Sequence, residues 1–339
     1  MQVSILKGGF PIIDKPEPLV QPATQNSAIQ GRWHVFKIDI TQAASFLVAC
    51  EEETIRSAAE RLGLEPSSIS RQIKSLETAL GIVLIERGRK GVRPTEAGRI
   101  LMSYLKRQQN DQETLLSEFD ALRGMRRGEL VVAVGDGFIS DFICNGLRSF
   151  REAFPGFTYD LMSGSTDQVL HAVRTDQAHV GLAYNAKPER TIRIAARVTQ
   201  PLAVLVSPVS EWADLAEPIG MQELTQLPCA LLKSGFGVGD IIRTAEVAHG
   251  VRLKATVEAN SLAVLRNFVR EGLGVTILPS FVVTREIADG SIITKPLAIK
   301  EFSQGDASVF TRAGRRLPDG AVRLVDHVMK SMVAFTAPS

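Results

Sequence analysis

Long hydrophobic runs are missing from this 339-residue chain. No stretch of about 18 consecutive apolar residues occurs, which excludes a helical membrane span. The N-terminus, MQVSILKGGFPIIDKPEPLV, has one early Lys but no apolar core adequate for a secretory signal. An excess of one charge is missing too, with 39 Lys and Arg against 37 Asp and Glu. Cysteine is scarce. Cys50, Cys144 and Cys229 lie far apart in apolar contexts, and buried thiols in a reducing cytoplasm are the simplest reading. A redox-switch pair of Cys144 with Cys229 is the alternative, although neither has a cation cluster nearby in the sequence to make a thiolate. The five His (34, 171, 179, 249 and 327) are scattered without a Cys or carboxylate frame, so no metal site is expected. No P-loop is present, and Gly135 and Gly137 lack the third glycine of a dinucleotide fingerprint. No nucleophile elbow occurs, and Ser163-Gly164-Ser165 reads as a helix start. The expectation is a chain with no catalytic residues, no metal and no cofactor.

What is present is concentrated between Thr54 and Gly98, TIRSAAERLGLEPSSISRQIKSLETALGIVLIERGRKGVRPTEAG. Arg56 to Leu62 reads as a short helix with Ala58, Ala59 and Leu62 on its buried side. Gly63 breaks it. Pro66 opens a second helix, where its missing N–H costs nothing. Ile69, Ile73, Leu76 and Leu80 make one apolar stripe at helical period. Off the stripe stand Ser67, Ser68, Ser70, Arg71, Gln72, Lys74 and Ser75, groups that bond phosphates and base edges. A short exit leads to the basic hairpin tip Gly88-Arg89-Lys90-Gly91-Val92-Arg93-Pro94. Between Ser67 and Thr95 six Lys or Arg face only Glu77 and Glu86, a net +4 in a chain whose total is +2. Positive charge focused on a recognition helix and a wing marks a module that binds duplex DNA. The expected contacts are Ser67, Ser68, Ser70, Arg71, Gln72 and Lys74 in the major groove, with Arg89, Lys90 and Arg93 at the backbone or minor groove.

The order and spacing of Ala58-Ala59-Glu60-Arg61-Leu62, Ile69-Ser70-Arg71-Gln72-Ile73, Leu76-Glu77, Leu80-Gly81, Arg87 and Thr95-Glu96-Ala97-Gly98 resemble the LysR-type transcriptional regulators. The resemblance runs from about Ile38 to Val333. Two residues depart from it. Pro66 stands where a base-contacting Gln is frequent in the family, and Ile85 where Phe is usual. The resemblance implies a winged helix-turn-helix, a long linker helix and a two-lobed effector domain built like a periplasmic binding protein. It also implies a cytoplasmic homodimer, assembling further to a homotetramer, with double-stranded DNA, a small-molecule effector and RNA polymerase as partners. A transporter's solute-binding protein, or an enzyme on an α/β scaffold, would explain the C-terminal two-thirds alone.

In chain order, residues 1–35 carry many Pro, Gly and polar residues with no sustained period, and are expected to be a disordered extension or the product of a mis-set start codon. The DNA-binding domain spans 36–95, opening with a helix from Ile40 to Cys50 that Thr41 caps. Residues 96–128 hold a long helix and a hinge. Its apolar Leu101, Tyr104, Leu105, Leu115 and Phe119 need a partner to bury them, either their own domain or, as the resemblance implies, a second chain. Strands and helices alternate over 129–339, which predicts parallel sheets clothed in helices. Lobe I is expected over about 129–200 and 284–339, and lobe II over about 201–283, with crossovers at Gln200-Pro201 and Pro279 to Thr284.

Ligands in such folds sit outside the carboxyl ends of strands, near helix N-termini. Gly135 to Ile139, Ser163 to Thr166, Lys233 to Gly237 and Asn260-Ser261 meet that description. Gly137, Phe138, Ser165, Thr166, Pro201, Ser234, Gly235, Phe236 and Ser261 are the expected effector contacts. Their amides and hydroxyls suit a carboxylate, and Phe236 an apolar body, hence a small organic acid.

Overall fold

The computed structural model describes residues 38–88, 91–122 and 127–336. The expected N-terminal extension, and the wing cations Arg89 and Lys90, lie outside the described residues. Two compact units divide between Met102 and Ser103.

The first unit starts with α1, Ile40–Glu51. Its N-cap is Asp39, whose carboxylate accepts from the Thr41 and Gln42 amides, so Asp39 and not Thr41 caps the helix. Helix α2, Ile55–Leu62, is capped by Thr54 and stopped by Gly63 in the left-handed region at φ 64°. Helix α3, Pro66–Leu80, buries Ile69, Ile73 and Leu76 completely against the first two helices. The wing is the antiparallel pair β1, Ile85–Gly88, and β2, Gly91–Pro94. Glu77 on α3 accepts from the Leu84 and Ile85 amides and holds the entry to the wing. The long helix α4, Glu96–Leu122, follows. Thr95 caps it by accepting from the Gly98 amide, and a side chain at Gly98 would lie 2.1 Å from the Leu84 carbonyl oxygen.

The second unit contains two five-stranded sheets of one design. Lobe I is ordered β4-β3-β5-β12-β6, from β3 (Arg127–Gly135), β4 (Gly156–Gly164), β5 (Val180–Tyr184), β6 (Ile192–Thr199) and β12 (Asp306–Arg312). Lobe II reads β9-β8-β10-β7-β11, from β7 (Leu202–Val206), β8 (Cys229–Leu232), β9 (Ala255–Ala259), β10 (Val275–Pro279) and β11 (Ile293–Lys295). In each lobe three parallel strands are completed by antiparallel ones, with β12 in lobe I and β7 in lobe II beside the third. One boundary is corrected. β11 pairs with β7, so the chain leaves lobe II between Lys295 and Asp306, not at Thr284. Only three residues long, β11 carries too weak an alternation to be assigned a lobe from sequence.

Helices clothe both sheets: α5, the helical run of Ile139–Asp141, Phe142–Leu147 and Arg148–Ala153; α6, Thr166–Arg174; α7, Met221–Leu224; α8, Gly237–His249; α9, Leu262–Arg270; α10, Thr284–Ala288; and α11, Asp319–Ser331. The core is aromatic in lobe I, where Phe138, Phe142 and Phe150 are buried, and aliphatic around β7, β8 and β10. Gln200 sits at the first crossover, and its side-chain amide donates to the Ala334 and Thr336 carbonyls at 3.0 Å.

Candidate DNA-binding face and interlobe cleft

Helix α3 presents Ser67, Arg71, Lys74 and Ser75 to solvent, opposite its buried edge. Arg71 Nη2 donates to Ser68 Oγ at 3.3 Å, which orients the guanidinium along the helix. The expected contact Gln72 turns inward instead, and the exposed Ser75 also bonds a neighbouring helix. The Gln72 side-chain oxygen accepts from Ser45 Oγ, and Ser75 Oγ accepts from Gln42 Nε2 at 3.2 Å, both on α1. Gln72 therefore helps seat the recognition helix, and an amphipathic pattern alone does not separate that duty from base contact. Ser70 is half-buried, and Arg93 on β2 is exposed.

On α4, Leu101 and Leu105 are buried within the chain itself and are not part of a face offered to a second copy. Tyr104 is half-buried, whereas Leu115, Leu116 and Phe119 are exposed. The same stretch of helix is fastened to lobe I. His179 Nε2 lies 2.9 Å from Glu113 Oε1, while its Nδ1 accepts from the Val131 amide, so the proton sits on Nε2. Arg315, nearly buried, reaches Glu113 at 3.4 Å and Asp176 at 3.3 Å, and Arg312 joins Asp176 at 2.9 Å. Burial opposes ionisation of Glu113, but the hydrogen bond from His179 and the bond and charge of Arg315 outweigh it and hold the carboxyl below its usual range. Thr114 adds a bond to the Arg316 carbonyl, and Lys106 one to the Thr175 carbonyl.

The strand ends of β3, β5, β8 and β10 meet between the lobes. Thr166, at the first turn of α6, donates to the Tyr184 carbonyl and accepts from the Gly237 amide, each at 3.1 Å. Asn185 Nδ2 donates to the Gly237 carbonyl at 3.3 Å. Lobe I thus clasps the first residue of α8 in lobe II. Only glycine permits this approach, because a Cβ at Gly237 would stand 2.0 Å from the Tyr184 oxygen. The Tyr184 hydroxyl donates to the Gln200 carbonyl at 2.6 Å, linking clasp and crossover, and burial followed by the Asp306 charge raises the phenol's pKa.

With the clasp shut, the space behind it is a cavity of about 40 Å³ lined by Phe138, Phe236, Leu232, Leu262, Leu278 and Phe281, with Thr166 and Gly137 at its wall. A chamber of about 320 Å³ adjoins it, sharing Asp136, Gly137, Leu262 and Val282 and adding Ile139, Ser140, Ser261, Ala263 and Arg266. Of the expected contacts, Gly137, Phe138, Thr166, Phe236 and Ser261 line one space or the other. Ser165 instead caps α6 in a box with Gln168, and Ser234, Gly235 and Pro201 line neither. Asp136, Ser140 and Arg266 were not anticipated. Asp136 is an acceptor that helix-terminal amide chemistry does not single out, and Arg266 sits mid-helix with no local signal.

Cysteine chemistry departs from the sequence reading at one position. Arg285 Nη2 lies 2.6 Å from Cys144 Sγ in a groove that Arg148 and Arg151 also line, so a distant arginine and two arginines one and two turns along the same helical run gather cations near this thiol, against the sequence reading that none is nearby. Cys229 is fully buried, and burial pushes its thiol up to about 12, which disfavours its thiolate. Among the described residues no cluster of His, Cys, Asp or Glu could hold a metal, and no helix is long and apolar enough to cross a membrane.

A helix-turn-helix with a cationic outer face, joined by a long helix to a two-lobed domain whose strand ends frame a cleft, defines a DNA-binding transcription regulator with a small-molecule effector domain. The chain belongs to the LysR family. Residues 40–99 match the model of the bacterial regulatory helix-turn-helix protein, lysR family, and residues 123–332 the LysR substrate binding domain. A probable nitrogen assimilation transcriptional activator of Synechococcus elongatus is 26% identical over 262 residues, covering 76% of this chain and 84% of its own. The regulator PtxR of Pseudomonas aeruginosa is 27% identical over 263 residues, covering 76% and 81%. Among solved structures, a full-length variant of OxyR from Pseudomonas aeruginosa superposes with a TM-score of 0.66 at 21% identity, covering 88% of this chain and 96% of that one. Full-length CbnR bound to its target DNA gives 0.56 at 20%, covering 86% and 99%. These two show the shared fold.

Proposed function

We propose that this regulator reads duplex DNA with Ser67, Ser68, Arg71 and Lys74 on α3, steadied by Arg89, Lys90 and Arg93 of the wing. A small ligand in the interlobe cleft sets the closure of lobe II on lobe I, and α4 carries that state toward the DNA-binding unit. The observation that carries the reading is the clasp. One hydroxyl, that of Thr166, joins the two lobes through a bond to the Gly237 amide, at the mouth of a space lined from both sides. A ligand that enters must exchange this contact for its own, and only such differential affinity shifts a conformational equilibrium. The exposed Leu115, Leu116 and Phe119 on α4 form the surface on which a second copy packs.

Fluorescence anisotropy with DNA from the region beside this gene tests the first part. Arg71→Ala should weaken binding and relax base preference, by about 1–3 kcal/mol at the contacted position. Arg89→Ala and Lys90→Ala should each weaken binding evenly and flatten the salt slope by about one unit. An unchanged slope in the double variant refutes the wing assignment. Leu116→Lys with Phe119→Lys should give smaller species by light scattering. Assembly equal to the parent chain refutes the assignment of the α4 face.

A further inference from the structure

The two spaces between the lobes differ in chemistry. The small cavity is walled by aromatic and aliphatic side chains, whereas the 320 Å³ chamber holds two opposite charges, one from each lobe. From lobe I comes Asp136, directly after β3. Its half-buried carboxylate makes no hydrogen bond or ion pair with any described residue. From lobe II comes Arg266 on α9, whose guanidinium spends one N–H on Glu286 at 3.2 Å and leaves the others unbonded. The hydroxyls of Ser140 in lobe I and Ser261 in lobe II are also without partners among the described residues. Ser261 stands at the N-cap of α9 yet makes no capping bond, so its oxygen is left to the chamber. No ion pair joins Asp136 to Arg266 across the space.

A half-buried carboxylate without a donor is costly, and a protein that only needed to fold would place an amide or apolar group there. Burial also raises the Asp136 pKa, the signature of a charge that lacks compensation. A ligand carrying only a carboxylate would satisfy Arg266 and Ser261 and set a like charge against Asp136. An amine alone would do the reverse. A ligand with both charges satisfies both lobes at once and joins them more strongly closed than open.

Resting on the reading that the cleft is the effector site, we propose that the effector is an amino acid. Its ammonium is bound by Asp136, its carboxylate by Arg266 and Ser261, and its side chain is directed to the apolar cavity beside Phe138 and Phe236. The volume suits such a molecule, since ligand pockets begin at about 300 Å³.

The test screens the full chain by thermal shift against the twenty proteinogenic amino acids, then titrates the best by calorimetry beside its des-amino carboxylic acid and its decarboxylated amine. The amino acid should bind about 10-fold or more tightly than either, a single lost charge-assisted bond being worth that much. Asp136→Asn should cost the amino acid about 10-fold and leave the des-amino acid unchanged or improved. Ser140→Trp, which fills the chamber from lobe I, should abolish binding of all three. If no amino acid binds, or if the des-amino acid binds as tightly as its parent, the proposal is overturned. In the latter case loss of the acid in Ser140→Trp leaves the cleft itself standing as the effector site. An amino acid that binds wild type and Ser140→Trp alike lies elsewhere and overturns both readings.

Discussion

The two lobes are one sheet design used twice, with different duties. In lobe I the first strand, β3, ends at a free carboxylate, Asp136; in lobe II the strand in the same place, β8, ends at Lys233-Ser234-Gly235-Phe236, and the facing charge is Arg266 on α9. Lobe I is also tied to α4 through Glu113, His179, Arg315 and Asp176. The shared topology leaves the attachments as the difference between the lobes, and they should decide which one moves. If the ties to α4 fix lobe I, lobe II should be the jaw that moves, with Gly237 its point of closure.

The sharpest way to break this asymmetry is at the anchor. Arg315→Ala leaves Glu113 with one partner fewer and Asp176 with Arg312 alone, and should cost about 3 kcal/mol or more in thermal or urea unfolding, as removal of one member of a buried ionic set does. Acid acts on the same group. The depressed Glu113 pKa contributes stability above its unfolded value, and that part is lost as pH falls through the lower folded value; Glu113→Gln should remove it.

Next in size is the clasp. Gly237→Ala places a methyl group 2.0 Å from the Tyr184 oxygen and should hold the lobes apart, at about 1–3 kcal/mol in unfolding experiments. Thr166→Val keeps the volume but leaves the Tyr184 carbonyl and the Gly237 amide short of a partner, for about 1–3 kcal/mol. Neither variant should touch DNA affinity through α3.

The smallest effect has the opposite sign. The raised Asp136 carboxyl binds its proton more tightly folded than unfolded, so the ligand-free chain loses stability as pH rises from the unfolded pKa to the folded one. Arg266, the other charged group lining the chamber, forms no ion pair with it. Asp136→Asn should therefore stabilise the ligand-free protein at neutral pH by less than about 1 kcal/mol while weakening effector binding, the usual conflict between stability and function. A destabilised Asp136→Asn would place the carboxylate in a structural role.

Most of the architecture was legible because it depends on local pattern. The stripe of Ile69, Ile73 and Leu76 and the glycine stop at Gly63 are rules of spacing, and the alternation of strands and helices after residue 129 is a rule of pattern. What was not legible arises between segments distant in sequence. Gln72 turns to Ser45, Cys144 meets Arg285, and Asp136 faces a chamber shared with Arg266. Thr166 was expected to await a ligand, yet its hydroxyl is occupied by the opposite lobe. No periodicity encodes such meetings.

Hydrogen exchange of the full chain, followed by mass spectrometry, tests the division of labour between the lobes most directly. In wild type the peptide holding Gly237 should be protected by its bond to Thr166. In Thr166→Val that protection should fall, while the α4 peptide around Glu113 exchanges as before; in Arg315→Ala the α4 peptide should loosen with Gly237 unaffected. If both peptides loosen together in either variant, or if Gly237 is unprotected in wild type, lobe II is not an independent jaw closing on an anchored lobe I.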